Sequence, residues 1–169
     1  MLTDEDGMGL AIAQAREGLR ENGGGEVGCA IVRDGIALHL AHNEVERRKD
    51  PTAHAEMVAI RDLCGRLGVT DLKGCTLYCT LQLCGMCSLA CVWAGISRIV
   101  YGATRTGVNT VYFETWHANT ADFIRDCFRD DLEIRSGVLE VECNSFYAKP
   151  EEPAPDKETA AHQPTQPVE

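Results

Sequence analysis

Two short runs in this 169-residue chain carry side chains whose types and spacing could do chemistry. One is Thr52-Ala53-His54-Ala55-Glu56. The other is Leu81-Gln82-Leu83-Cys84-Gly85-Met86-Cys87. Together they supply one imidazole, two thiolates and one carboxylate. A catalytic zinc site takes three protein ligands and keeps its fourth position for water. His54, Cys84 and Cys87 meet that count, so one Zn2+ per chain is expected. Cys84 and Cys87 are three residues apart, and a helical turn starting there puts both sulfurs on one side. The apolar run from Ser88 to Ile96 predicts a helix whose N-terminal dipole favours thiolate, the ligand form. His54 and Glu56 are two apart, roughly 200° on a helix. They can serve one site only from a first turn that faces an incoming loop. A metal ion lowers the pKa of a coordinated water to about 7. Glu56 could then accept its proton and deliver it to a ring nitrogen and a leaving amine. That chemistry is hydrolytic deamination of an aminated heterocycle.

Two other readings use the same residues. A structural zinc site needs a fourth protein ligand, with Cys79 or Cys91 the candidates; it leaves Glu56 unexplained. A redox Cys-x-x-Cys leaves the His-x-Glu pair unexplained.

The elements that must position these groups follow from periodicity. Leu10, Ala11, Ala15 and Leu19 predict an amphipathic helix over 8–19, ended by Asn22-Gly23-Gly24-Gly25. Strands over 27–32 and 36–41 flank an Arg33-Asp34-Gly35 hairpin. The charged stretch 44–50 reads as a surface loop. Asp50-Pro51 predicts a helix start, with Ala53, Met57, Ile60, Cys64 and Leu67 as its buried face and Gly68 as its end. A strand over 75–81 delivers Cys84. The next helix shows an apolar stripe of Leu89, Val92, Trp93 and Ile96, and a buried strand over 98–102 should pair with 75–81 in parallel. A loop over 104–117 precedes a helix at 118–129, a short strand at 132–135 and a last helix at 138–147. From Lys149 to Glu169, prolines among acidic and polar residues predict a disordered tail.

Hydrophobic residues make up 44% of the chain, which fits one globular domain. No apolar run approaches the roughly 20 residues of a membrane span. The acidic start, Met1 to Asp6, lacks the features of a signal peptide, so a cytoplasmic protein is expected. Nine cysteines are an odd count, and without an export signal they read as reduced thiols. His39, His42, His117 and His162 have no ligand spacing and are expected at the surface, with His117 also a candidate for the pocket. The net charge of -10 disfavours a phosphate backbone as partner, so nucleic acid is not expected.

The motif pair carries a resemblance. His-x-Glu followed by Pro-Cys-x-x-Cys is the signature of zinc nucleobase deaminases, with the Glu as acid/base and not a ligand. Here it reads His54-Ala55-Glu56 and Leu83-Cys84-Gly85-Met86-Cys87, with Leu83 where the pattern has proline. Over residues 8–148 the chain resembles the cytidine deaminase-like superfamily, in the branch of guanine, cytosine and tRNA adenosine deaminases. Asp50 to Glu56 looks most like the guanine deaminase version. The resemblance implies an α/β fold, a three-layer α/β/α sandwich with a mixed sheet of about five strands, as one domain over 1–148. It implies a homodimer and a small heterocyclic substrate, a purine-like free base such as guanine first. A pyrimidine or s-triazine base, a pterin, or adenosine in tRNA are the alternatives. It also suggests substrate contacts at Asn43 and Trp93. Ala55 and, in the 104–117 loop, Glu114 and Trp116 are further candidates; Trp116, Tyr112 and Phe113 could stack on a flat ring or pack a loop or subunit contact. That loop has no carboxylate over 104–107, where guanine deaminases tend to carry one.

Overall fold

The computed structural model describes residues 2–21, 23–113 and 119–153. Thr3 opens the first helix, α1 (Asp4–Gly18), through a capping box. Its hydroxyl accepts the Asp6 N–H at 3.1 Å, and the Asp6 carboxylate accepts the Thr3 N–H at 2.9 Å. The helix therefore begins about a turn before the apolar spacing predicts, because the cap and three first-turn acids stabilise a polar start. Strands β1 (Gly25–Arg33) and β2 (Ile36–Asn43) form the expected hairpin, turning at Asp34 and Gly35 with φ of 53° and 75°. There follow α2 (Val45–Arg48), α3 (Ala55–Leu67), β3 (Thr76–Leu81), α4 (Gly85–Trp93) and β4 (Arg98–Ala103). The chain continues with α5 (Thr120–Asp126), β5 (Glu133–Arg135) and α6 (Glu140–Asn144).

The five strands form one mixed sheet in the order β2-β1-β3-β4-β5. β1 runs antiparallel to both neighbours, while β3, β4 and β5 are parallel. Alternate residues feed two cores. Cys29, Ile31, Leu77, Cys79 and Ile99 join the buried faces of α3, α4 and α5; Ala30, Val32, Tyr78 and Val100 join α1 and α6. This is the expected three-layer sandwich. With helices on both faces, alternation along β3 marks the side and not exposure. Gly28 lets α1 lie close against β1: a Cβ there would lie 2.0 Å from the Ala11 carbonyl oxygen. No described helix is long and apolar enough to cross a membrane.

Several local expectations are corrected. The stretch 44–50 is no simple surface loop. It forms α2, and Glu44 is buried with its carboxylate bonded to Arg47 and Arg48. Asp50 does not cap a long helix; its carboxylate accepts the N–H and hydroxyl of Thr52 in a turn. α3 starts at Ala55, and its buried face is Ala55, Glu56, Val58, Ala59, Ile60 and Leu63, leaving Leu67 exposed. Periodicity had the helix right but its rotation wrong, because the polar Glu56 points inward. In α4 the buried residues are Cys87, Ser88 and Cys91, and Trp93 is 85% exposed. The buried face of α4 is made of small side chains, and the tryptophan is turned out. His42 is buried beside Glu21, 3.2 Å away, and is not a surface residue. The tail begins ordered. Asn109 donates from its backbone to Ala148 and from its side chain to the carbonyls of Lys149 and Glu152. Residues 154–169 lie outside the described residues.

At the end of the sheet where β3 and β4 begin, Asp4 ties α1 down. Its carboxylate accepts from Arg98 at 2.5 and 2.9 Å, from the Tyr78 hydroxyl at 3.1 Å, and from Arg135. The Arg98 guanidinium is the main reason the Asp4 carboxyl is held down at about 2. A carboxyl lower in the folded than in the unfolded chain stabilises fully above its unfolded value of about 3.9. That stabilisation is lost as pH falls towards about 2. Asp4→Asn is expected to cost about 2 kcal/mol at pH 7 and to flatten the fall in Tm on acidification across that window. Thermal unfolding of both proteins as a function of pH checks this.

Candidate active site and metal centre

Both ligand runs end at helix N-termini. His54 is the N-cap of α3 and Cys84 the N-cap of α4, each with extended backbone (ψ 155° and 172°). Cys87 lies in the first turn of α4 and is buried. Unsatisfied N–H groups and the helix dipoles make such ends favourable for thiolates and a carboxylate. The two ends meet: His54 Nδ1 is 3.6 Å from Cys84 Sγ and 3.4 Å from Cys87 Sγ. Zinc bond lengths to nitrogen and sulfur give a tetrahedral N-to-S edge of roughly 3.5 Å. The donors thus already stand at the spacing of three corners of a zinc tetrahedron, all within 4.8 Å of one another. Among the described residues no fourth His, Cys, Asp or Glu joins this group. Cys79 and Cys91 are fully buried, and that burial pushes their thiols well up, so they behave as small apolar packing.

Glu56 is 4% exposed, in the first turn of α3, and lines the same pocket as His54 and Cys84. Burial pushes its carboxyl up, with the His54 ring opposing. Burial also disfavours charge on His54, but the Cys84 sulfur and Glu56 outweigh it and raise the imidazole overall. A carboxyl near a metal ligand, outside the ligand set and reluctant to stay ionised, is suited to carrying a proton.

Asn43 also lines this pocket. Its Oδ1 accepts the Val45 N–H at 3.1 Å, so the turn role and the pocket role coexist in one side chain. The Glu44 N–H donates to the Ala53 carbonyl at 2.9 Å, which fixes the end of β2 against the residue before His54. Of the other expected contacts, Ala55 is wholly buried in the core under α3 and is not among the pocket residues. Trp93, outward on the last turn of α4, does not reach the pocket within this chain. Glu114 and Trp116, with His117, lie outside the described residues.

Sequence reasoning raises Tyr112 and Phe113 as candidate ring-stacking groups and has Leu81 and Gln82 only as part of the ligand run; it misses Glu26 and Val27. Glu26, Val27, Leu81, Gln82, Tyr112 and Phe113 complete the pocket wall. Gln82 accepts the Arg105 N–H at 2.9 Å, and the Arg105 guanidinium sits 5.6 Å from the centre of the Phe113 ring. Tyr112 packs edge-on against Tyr147 at 5.5 Å. Thr120, fully buried at the start of α5, donates to the Leu83 carbonyl at 3.0 Å. Leu83 is itself buried. The Cys84 turn is therefore held by core packing and a hydrogen bond where the family pattern uses a proline ring.

Comparison with known proteins agrees with this geometry. Residues 1–103 match the cytidine and deoxycytidylate deaminase zinc-binding region. The chain is 46% identical over 94 residues to the tRNA-specific adenosine deaminase of Aquifex aeolicus, covering 56% of this chain and 62% of that relative. It thus spans about three fifths of that protein's length. It is 38% identical over 104 residues to the guanine deaminase of Bacillus subtilis, covering 62% and 67%. A solved structure from work on tRNA:A34 deaminases and A-to-I editing superposes with a TM-score of 0.68 at 29% identity, covering 83% of this chain and 97% of that one. This chain belongs to the zinc-binding cytidine and deoxycytidylate deaminase family. Members of the family are zinc-dependent hydrolytic deaminases acting on C–N bonds, and His54, Cys84 and Cys87 are arranged here to hold the ion.

Replacing Cys87 with alanine should take bound zinc from about one per chain to well below half, while Cys91→Ala leaves it unchanged; metal analysis of the purified proteins separates the two. Thr120→Val should leave the Leu83 carbonyl without its buried donor and cost roughly 1–3 kcal/mol, read as a lower Tm.

Proposed function

We propose that this chain catalyses zinc-dependent hydrolytic deamination of a small aminated heterocycle, with a free, purine-like nucleobase as substrate. The observation that carries the reading is the meeting of His54, Cys84, Glu56 and Asn43 on one pocket whose other walls include Val27, Tyr112 and Phe113. Zinc, when held by His54 and the thiolates of Cys84 and Cys87, would supply Lewis acidity that lets water lose a proton and act as a nucleophile at neutral pH. Glu56 takes the proton of the attacking water and passes it to the ring nitrogen, then assists the amine to leave as ammonia. The Asn43 amide, with Oδ1 engaged by Val45, presents its NH2 to an acceptor on the ring edge. Tyr112 and Phe113 supply flat apolar surface for the ring.

The free-base reading is supported by the acidity of the chain, net -10, which is unfavourable for a phosphate backbone. Adenosine in tRNA is the second reading, favoured by the likeness to the Aquifex aeolicus enzyme and to the solved structure from the tRNA:A34 work. A homodimer is part of the proposal: Trp93 and Phe128, 85% and 91% exposed on α4 and just after α5, give a second copy apolar surface to cover.

Ammonia release from guanine, cytosine, azacytosine, pterins and tRNA tests the substrate. Glu56→Gln should keep its zinc and lose about 10²- to 10⁴-fold in kcat. Full activity in that variant would remove Glu56 from the proton path.

A further inference from the structure

A second acidic residue, Glu26, lines the pocket, and the reaction above has no use for it. Glu26 and Val27 sit in an interruption of the β1–β2 ladder. Gly25 is opposite Asn43 and Gly28 is opposite His42, so the two residues between them have no partner on β2. Such bulges re-aim side chains, and they recur beside active sites. Here both bulged residues line the pocket with Asn43, His54 and Glu56. The bulge is held from behind: the Tyr147 hydroxyl donates to the Glu26 carbonyl at 3.4 Å and also bonds Thr80 at 2.8 Å. Burial pushes the Glu26 carboxyl up, and its own backbone N–H pulls the other way. Among the described residues no cation or side-chain donor pairs with it. Set in the pocket wall with its own backbone N–H as donor, the carboxyl is placed to accept a further hydrogen bond from a ligand.

We propose that Glu26 is a specificity-determining residue, its carboxylate accepting a ring N–H of the substrate beside the edge met by Asn43. The inference rests on the deaminase reading and narrows it. The substrate is a heterocycle that carries, besides the amine to be lost, a ring N–H donor. Free bases have such a donor at the nitrogen that bears the sugar in nucleosides, whereas a base locked into a nucleoside or a nucleic acid has lost it. A pocket that aims a carboxylate at that donor prefers the free base. Gly25, the residue before Glu26, lies close against Asn43: a Cβ on Gly25 would lie 3.2 Å from the Asn43 Cβ.

The test uses the zinc-loaded full chain, the free base it turns over best, and that base methylated at one ring nitrogen at a time. Glu26→Ala should lower kcat/KM on the parent base about ten- to a hundredfold, chiefly through KM, with zinc content and Tm unchanged. Glu26→Gln, of the same shape but with a neutral oxygen, should lose less. One N-methyl analogue should suffer a similar loss with the native protein and no further loss with Glu26→Ala. If Glu26→Ala keeps native kcat/KM and native discrimination against every N-methyl analogue, the Glu26 assignment is overturned and the free-base reading stands. If the native protein releases ammonia from tRNA and from no free base, both are overturned.

Discussion

Two thiolates and a carboxylate gathered in one pocket repel one another and resist burial, so they can share it only where positive potential is built in. This chain supplies that potential twice over. Helices α3 and α4 aim their N-termini at the same point, with His54 and Cys84 as their caps. A divalent ion bound by the same residues contributes the rest. The spacing of Nδ1 to the two sulfurs, 3.6 and 3.4 Å, shows the donors preorganised for it. Much of the surrounding architecture maintains this convergence of helix ends.

Preorganisation needs loops that do not wander. The Cys84 turn is anchored by the buried Leu83 and by Thr120. The His54 side is tied to the end of β2 through the Glu44-to-Ala53 hydrogen bond. A third connection runs from Gln82 through the Arg105 backbone to the Phe113 ring, joining the strand that delivers Cys84 to the opposite wall. These contacts act at different points of the sequence but fix one distance, that between metal ligands and ring-binding surface. Misplacement of that surface by an ångström is the kind of error that slows a positioned reaction severely.

The division of the sheet explains why the site is where it is. The Asp4, Arg98 and Arg135 cluster secures the end at which β3 and β4 start. The chemistry gathers at the opposite end, where β3 runs out into the Cys84 turn. Stability devices and reactive groups are thereby separated along the strands. The irregular segment of β1 at Glu26 and Val27 is the exception, a departure from ladder pairing at the functional end.

The sequence by itself determined the donor set and the order of the elements other than α2, and its motif pair, through the resemblance it carries, implied the three-layer class. His54, Glu56, Cys84 and Cys87 were legible because ligand chemistry restricts residue type and helix-end geometry restricts spacing. The Asp34-Gly35 turn was legible because a two-residue hairpin demands positive φ. What only the tertiary structure decided was which way each helix faces and what surrounds the ligands. Glu56 is polar yet points inward, Trp93 is apolar yet points out, and periodicity ranks both the other way. Glu26, Gln82, Tyr112 and Thr120 come from separate strands, loops and helices. Their neighbourhood is set by sheet pairing and by a local bulge, which long-range packing fixes and no short window of residues encodes.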